Sequence, residues 1–373
     1  MIKRPPALSV ICLGAVCALA GCETTPSGDT PRARTPEARP IDHAGWEDLG
    51  YRWEWTGYPL MGPGANITEA AVLGDMIMTV ASDTTLTALE TSTGRVRWAR
   101  ALDRDTTTRI FEPALHDGRL IITSDTEFSE IDTDSGNTID RDEVGAIINT
   151  PPVMVEDIAY MGTTRDELIA FRIGRDFVRW RYRFDGPIQS PALPIDEDRI
   201  AMISGAGDLR VLDTRYGETR MSASIAGGSV THMLHDGDTI YIASTDQSLY
   251  AFDLEEGIRL WRRRTSAPLT TQPILLDGIL YATTQESGLT AIDADTGESR
   301  WENPEIGGWV VTVNDDELIA WNGRDLLLVD TDRGELIRTL TLEGISGVRA
   351  GTKQNADIFT IDARGIVSKF SPR

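Results

Sequence analysis

The stretch DTDSGNTIDRDE, residues 132–143, has the spacing that comes nearest to a metal-binding loop. Its carboxylates fall at positions 1, 3, 9 and 12 of a calcium loop, and they are Asp132, Asp134, Asp140 and Glu143. Such a loop requires an oxygen ligand at position 5 and glycine at position 6, whereas here Gly136 stands at 5 and Asn137 at 6. We therefore expect Asp132 and Gly136 to form a turn, and calcium binding by this stretch stays open.

The histidines and the glycine-rich stretches offer little further chemistry. His232 and His235 are three residues apart, which places their side chains on opposite faces of a strand, so a shared zinc ion is not expected. The stretch GAG at 205–207 lacks the third glycine of a dinucleotide site. No Gly-x-Ser-x-Gly nucleophile motif and no Walker lysine motif occurs in the sequence. Apart from the open question of calcium at residues 132–143, we predict that the protein is not an enzyme and binds no metal or cofactor.

Carboxylates are the one residue type with catalytic potential that is abundant in this sequence. The chain has 58 Asp and Glu residues, so close pairs must occur, and a pair of carboxylates is the machinery of a glycosidase. Two acids with a raised pKa in a central channel would mark such a site. This enzyme hypothesis is retained as an alternative.

One sequence pattern recurs along the chain and accounts for most of these residues. It starts with a leucine or another apolar residue and continues through an acidic turn, as in LTAIDADTGESRW at 289–301. Counted from their first residues, the eight copies are spaced 37 to 42 residues apart, and they begin at Leu86, Phe128, Leu168, Leu209, Leu249, Leu289, Leu326 and Ile366. A period near 40 residues, with four short β-like runs in each, is typical of a propeller blade. The sequence predicts an all-β, eight-bladed β-propeller over residues 46–373.

Tryptophan and glycine recur at fixed places in the repeat. The glycines of the turn are Gly94, Gly136, Gly217, Gly257, Gly297 and Gly334. Twelve residues after the first position stand Trp98, Trp180, Trp261 and Trp301, each large enough to pack between neighbouring sheets. Asp140, Met221 and Arg338 replace the tryptophan in three copies, and we expect those blades to be softer.

The last copy is incomplete, which predicts how the ring closes. Twelve residues after Ile366 would be position 378, but the chain has 373 residues, so blade eight lacks its outer strand. The stretch YRWEW at 51–55 precedes the first inner strand and carries Trp53 and Trp55. We predict that this N-terminal strand completes blade eight.

The N-terminus has the pattern of a bacterial lipoprotein signal. Lys3 and Arg4 precede an apolar run, and Leu19-Ala20-Gly21-Cys22 resembles a lipobox. We predict a signal peptide over 1–21, a lipidated Cys22, and a disordered tether rich in Pro and Thr over 22–45. Lipoproteins retained in the inner membrane usually have aspartate after the lipidated cysteine, whereas this chain has Glu23. The resemblance therefore implies the outer membrane, with the protein facing the periplasm, although which membrane and leaflet stays open.

The charge and the cysteines limit the partners. The formal charge of −22 repels nucleic acid, and only Cys22 of the three cysteines would survive cleavage, so no disulfide forms within the mature chain. We expect a monomer that binds the membrane through its lipid and does not bind nucleic acid.

The residues of the pattern Leu-x-Ala-x-Asp-x-x-Thr-Gly-x-x-x-Trp resemble the PQQ-type propeller repeat. Together with the lipobox, the tether and the strand-closed ring, they resemble the BamB family of outer-membrane-protein assembly lipoproteins over residues 46–373. Quinoprotein dehydrogenases share the repeat and place adjacent cysteines over the cofactor, but the mature chain has no such pair. The resemblance implies a non-catalytic periplasmic protein-interaction scaffold without bound PQQ.

In that family, partner contact depends on extended loops entering blades four and five. The corresponding segments here, RFDGPIQSP and SASIAGGSV, are short. The candidate partner residues are Phe184, Asp185, Gln189, Ile225 and Val230. The competing hypothesis is a periplasmic or cell-surface sensor that holds a small ligand or glycan in the channel.

Overall fold

The strands form eight four-stranded antiparallel sheets, each made of consecutive strands except for the last. The computed structural model describes residues 40–102, 108–175, 177–314, 316–351 and 354–373, all within the unit Ala38–Arg373. The predicted signal peptide, Cys22 and residues 22–39 of the predicted tether lie outside these residues. The prediction of an eight-bladed, all-β propeller is confirmed.

The described part of the chain begins with one short helix, α1 (His43–Asp48), and the strand β1 (Tyr51–Gly57). Blades 1 to 4 then follow in chain order, four strands to a blade: β2 (Ile67–Leu73), β3 (Met76–Ala81), β4 (Thr85–Glu90) and β5 (Val96–Ala101); β6 (Ala114–His116), β7 (Arg119–Thr123), β8 (Glu127–Asp132) and β9 (Thr138–Glu143); β10 (Val153–Val155), β11 (Ile158–Gly162), β12 (Glu167–Arg172) and β13 (Phe177–Arg183); β14 (Leu193–Pro194), β15 (Arg199–Ile203), β16 (Asp208–Asp213) and β17 (Thr219–Ser224).

Blades 5 to 8 complete the ring in the same way: β18 (Leu234–Asp236), β19 (Thr239–Ser244), β20 (Ser248–Asp253) and β21 (Arg259–Arg264); β22 (Ile274–Leu276), β23 (Ile279–Thr284), β24 (Gly288–Asp293) and β25 (Ser299–Asn303); β26 (Trp309–Asn314), β27 (Glu317–Trp321), β28 (Asp325–Asp330) and β29 (Leu336–Thr341); and β30 (Ile345–Ala350), β31 (Ile358–Asp362) and β32 (Val367–Pro372). The fourth strand of blade 8 is β1.

The order of the strands within a blade follows from burial. First strands of neighbouring blades contact each other, as β2 does with β30 and β6, so these strands surround the ring axis. Second strands are buried on both faces, and all six residues of β3 are buried. Fourth strands form the outer rim, and in β13 exposed and half-buried side chains alternate. The hydrophobic core is therefore divided among the gaps between blades.

Each gap between neighbouring blades holds its own cluster of buried apolar side chains. A single four-stranded sheet exposes two apolar faces, and each face becomes buried only against the next blade. The closed ring is the arrangement that leaves no blade without a neighbour.

The N-terminal strand closes the ring as predicted. Strand β1 pairs antiparallel with β32, with Trp53 opposite Phe370, Trp55 opposite Lys369 and Gly57 opposite Val367. Blade 8 therefore combines the two ends of the described chain, so that ring closure joins residues far apart in sequence.

Among the described residues of blade 8, no turn connects the third strand, β32, to the fourth strand, β1, and helix α1 lies at this end of the blade. The Trp46 indole stacks on the Phe370 ring with 3.5 Å between centroids, and Trp46 is buried. Asp48 Oδ2 accepts a hydrogen bond of 3.0 Å from Arg338 Nη1. His43–Gly45, which we assigned to the tether, belong to this helix, because the buried Trp46 fixes the helix against blade 8. No helix in the described part of the chain is long and apolar enough to cross a membrane.

Candidate functional site: blade interfaces and loop face

The repeated tryptophan and glycine meet across the gap between two blades. The Trp98 indole of blade 1 covers Gly136 in the last turn of blade 2, and a Cβ at Gly136 would lie 2.5 Å from the indole. Gly136 has a φ of 67°, in the region that favours glycine. The same pairing joins Trp180 to Gly217, Trp261 to Gly297, and Trp301 to Gly334. We call each such pair a Trp–Gly contact.

A hydrogen bond fixes each indole in its Trp–Gly contact. The Nε1 group donates to a backbone carbonyl of the next blade, to Thr133 O from Trp98 at 2.8 Å and to Thr331 O from Trp301 at 2.7 Å. Trp98 and Trp301 are buried, whereas Trp180 and Trp261 are half-buried. The predicted packing of the indoles between sheets is thus present in all four copies.

The closing strand supplies a fifth Trp–Gly contact. The Trp55 indole lies over Gly94 of blade 1 and donates from Nε1 to Thr91 O at 3.0 Å. Trp53 points the other way and is 40% exposed. Ile366 is buried, and its backbone N–H donates to Asp362 Oδ1 at 3.0 Å, just before β32 begins.

Three interfaces lack the tryptophan. Between blades 4 and 5, Met221 is buried against Gly257. Between blades 7 and 8, Arg338 bonds to Asp48 of α1. Between blades 2 and 3, Asp140 is exposed, and the apolar cluster around Phe128 packs the two sheets together. The expected softness of these blades stays a prediction.

The acidic turns are built from their own hydrogen bonds. Asp132 Oδ1 accepts from the Ser135 backbone N–H at 2.8 Å and from its hydroxyl at 2.6 Å, and the pKa of Asp132 is lowered by these bonds. Bonds from Arg300 and Thr296 likewise lower the pKa of Asp293. Among the described residues, no group of three or more His, Cys, Asp or Glu side chains could hold a metal ion. Asp132 accepts hydrogen bonds within its turn, and the Trp98 indole lies over Gly136.

The segments that follow the outer strands lie at one end of the ring. In an antiparallel blade, the turn between the second and third strands and the exit from the fourth strand fall at the same end. Their contacts agree, since Ser204 Oγ donates to Asp185 O at 3.0 Å and the Thr245 N–H donates to Gly228 O at 3.0 Å. We call this end of the ring, with residues 58–66, 144–152, 184–192 and 225–233, the loop face.

The predicted partner residues divide by exposure on this loop face. Asp185, Gln189 and Val230 are exposed, and Ile225 is half-buried. Phe184 is only 3% exposed, because it packs in the core between blades 3 and 4 with its ring 5.0 Å from that of Tyr182. Phe184 is therefore a core residue and does not present a partner contact.

Three further exposed apolar side chains on the loop face were not predicted. Leu60 is 57% exposed, Ile147 is 56% exposed, and Tyr58 is exposed near Leu60. They lie after the outer strands of blades 8 and 2. The sequence feature that could have identified them is an apolar residue in a loop between blades, because the repeat explains apolar residues only within strands.

The inner strands bring two glutamates together. Glu69 lies on β2 and Glu112 lies two residues before β6, so both are at the first strands of adjacent blades. Burial raises the pKa of Glu69, and the charge of Glu112 raises it further. Desolvation by the surrounding protein raises the pKa of Glu112 against the opposing effect of Arg349, although the residue is still exposed to solvent. This pair has the raised pKa values that we set as the mark of a channel carboxylate site.

The fold and these contacts define the class: a closed eight-bladed β-propeller with Trp–Gly contacts between blades. The sequence model of one family, described as outer membrane protein assembly factor BamB, matches residues 45–189 and 178–373. The chain belongs to this BamB family of PQQ-type propellers.

Solved structures share the fold. BamB from Moraxella catarrhalis superposes with a TM-score of 0.66 at 16% identity, covering 81% of this chain and 95% of that chain. The computationally designed Ika8 protein superposes with a TM-score of 0.69 at 13% identity, covering 84% of this chain and 98% of that chain. Comparison with curated proteins gives no match.

Proposed function

We propose that the protein is a non-catalytic, lipid-anchored scaffold that holds a protein partner on its loop face during outer-membrane protein assembly. Membership of the BamB family supports the role, and Leu60, Ile147 and Val230 supply the contact surface. Single exposed apolar side chains are common on protein surfaces, so it is their shared placement on the loop face that makes these three candidates for partner contact. The lipobox cysteine, Cys22, supports anchoring to the outer membrane with the propeller in the periplasm.

The observation that carries the proposal is the position of these side chains. Each lies on a segment that bonds to the ends of two rigid blades, as Val230 does through the neighbouring Gly228. Loops held on a rigid scaffold are the usual place for binding residues. No catalytic group is required for this role.

The test is cross-linking followed by mass spectrometry in the native host. The triple variant Leu60→Ser, Ile147→Ser, Val230→Ser should lose its cross-links to a β-barrel assembly protein. A matched control, Val96→Ser with Leu336→Ser, removes exposed apolar side chains from outer strands and should keep them. Cys22→Ser should release the protein from the membrane. Unchanged cross-links in the triple variant would refute the loop face as the partner site.

A second candidate function comes from the Glu69 and Glu112 pair. Two acids with raised pKa near the axis suit a channel that binds a glycan, as a sensor or as a hydrolase. A glycan panel should then bind the wild-type protein and not Glu69→Gln with Glu112→Gln. Loss of glycan hydrolysis in that variant would establish an enzyme, and binding without hydrolysis would establish a sensor.

A further inference from the structure

The arginines of the outer strands are concentrated in two blades. Strands β13 and β21 together contain seven arginines and no acidic residue, in a chain whose formal charge is −22. The outer strand β9 shows the opposite composition, with Asp140, Asp142 and Glu143 against one arginine. The rim of the ring therefore has local positive charge on an otherwise acidic protein.

In β21, two of the four arginines are held by neighbouring groups. Arg262 Nε donates to Ser248 Oγ at 3.0 Å, and its guanidinium lies over the Tyr250 ring at 5.3 Å. Arg263 bonds to Glu302 of blade 6. Arg259 and Arg264 are exposed and form no ion pair with any described residue. Two positive charges are thus free to meet an outside partner.

Strand β21 also has a free edge and exposed apolar side chains. It ends the sheet order β18-β19-β20-β21, so the backbone along its outer edge pairs with no other described strand. Ile258 and Leu260 are 55% and 51% exposed beside Arg259. An edge strand with unpaired backbone groups is a template for an added strand.

We propose that the outer edge of β21 binds an extended acidic segment of another protein as a fifth strand of blade 5. Backbone hydrogen bonds would give affinity, carboxylates of the segment would pair with Arg259 and Arg264, and an apolar side chain would cover Leu260. This surface is separate from the loop face, and the proposal does not depend on the function proposed for that face.

The surrounding charges favour a single strand over a membrane surface. Glu255 and Glu256 lie in the turn before β21, and Glu302 lies in the outer strand of the next blade. A broad anionic bilayer would meet these acids together with the arginines, and like charges would repel. A strand that follows β21 meets mainly the arginines.

The probe is a short synthetic peptide in which glutamate alternates with threonine and one end carries valine. The control peptide has glutamine in place of each glutamate. Fluorescence anisotropy with the whole protein measures affinity, and hydrogen exchange locates the protected strand. The variant Arg259→Ser with Arg264→Ser should bind about tenfold more weakly, since it removes two exposed charge pairs.

The matched protein control is Arg95→Ser with Arg333→Ser, which removes two exposed arginines elsewhere and should bind as the wild type does. Protection of β21 amides by the glutamate peptide supports the proposal. Equal binding of the glutamine peptide, equal loss in both double variants, or protection confined to other strands overturns it. Binding to phosphatidylglycerol vesicles that depends on Arg259 and Arg264, without peptide binding, overturns it in favour of a membrane.

Discussion

The interface between blades 6 and 7 and the interface between blades 2 and 3 join equivalent sheets in different ways. In the first, the buried Trp301 covers Gly334 and bonds to Thr331 O at 2.7 Å. In the second, Asp140 is exposed in place of the indole. The ring therefore does not need a tryptophan at every gap, because apolar clusters of the inner strands are present at both interfaces. We expect the outer contact to set how firmly each pair of blades is held.

Removing the indole should have the largest effect. Trp301→Ala should lower the free energy of unfolding by about 3–5 kcal/mol, because it leaves a cavity between blades 6 and 7 and an unpaired Thr331 carbonyl. Denaturant unfolding followed by circular dichroism measures the loss. A loss below about 1 kcal/mol would show that the Trp–Gly contact does not hold the blades together.

Filling the glycine side of the same contact should cost nearly as much. Gly334→Ala should destabilise by about 2–4 kcal/mol, because its φ of 67° strains an alanine and its Cβ would clash with the Trp301 indole. Gly323→Ala is the matched control, since Gly323 also has a positive φ but nothing within 4 Å of a new Cβ. Equal losses in both variants would assign the effect to backbone strain alone.

The outer contact between blades 7 and 8 is an exposed ion pair beside a buried apolar cluster, and its effect should be smaller. Arg338→Ala removes the 3.0 Å bond to Asp48, in which both side chains are at least 50% exposed. Exposed pairs contribute about 0–1 kcal/mol, so thermal unfolding should shift little. Adding Asp48→Ala should then cause no further loss. A larger loss would mean that Arg338 also holds α1 by packing.

At the interface between blades 2 and 3, truncating the Asp140 side chain should have almost no effect on stability. Asp140→Ala should change the free energy of unfolding by less than about 0.5 kcal/mol, because the side chain is exposed. Urea titration of this variant beside Trp301→Ala gives the comparison directly. Comparable losses in the two would abolish the distinction between the interfaces.

Glu69 tests the inner end of the gap between blades 1 and 2. Its pKa in the folded protein is raised above the ordinary 4.5, chiefly by burial, so its ionised form opposes folding at neutral pH. Glu69→Gln should raise the melting temperature at pH 7, by an amount on the order of 1 °C for a chain of this size. The gain should vanish as the pH falls below the ordinary value, where the wild-type residue is protonated as well. A gain that persists there would point to packing and not to charge.

Much of the fold could be predicted from the repeat alone. The four-stranded period, the recurring tryptophan and glycine of the repeat and the missing outer strand of blade 8 are local patterns, and each is found in the structure. The contact of each tryptophan with a glycine of the next blade became visible only in the structure. The site residues were predicted less well. Phe184 was predicted to be a partner residue but is buried, because burial depends on what the next blade places against it.

The glutamate pair shows the same limit. Glu69 and Glu112 carry no motif, and the pKa of each is raised chiefly by desolvation in the folded ring, with the charge of Glu112 adding to the effect at Glu69. Exposed loop residues such as Leu60 and Ile147 were missed for a related reason, since apolar side chains in a loop become a surface only after the strands are arranged.

The sequence by itself determined the number of blades, the turns within them and the need for a strand from the N-terminus, because these follow from spacing along the chain. The tertiary structure alone decided which side chains stay exposed, which acids adjoin at the first strands of neighbouring blades, and that α1 packs beside Phe370 at the end of blade 8. The physical reason is that each blade buries its faces only against neighbours. Exposure and charge environment are therefore properties of pairs of blades and not of one repeat.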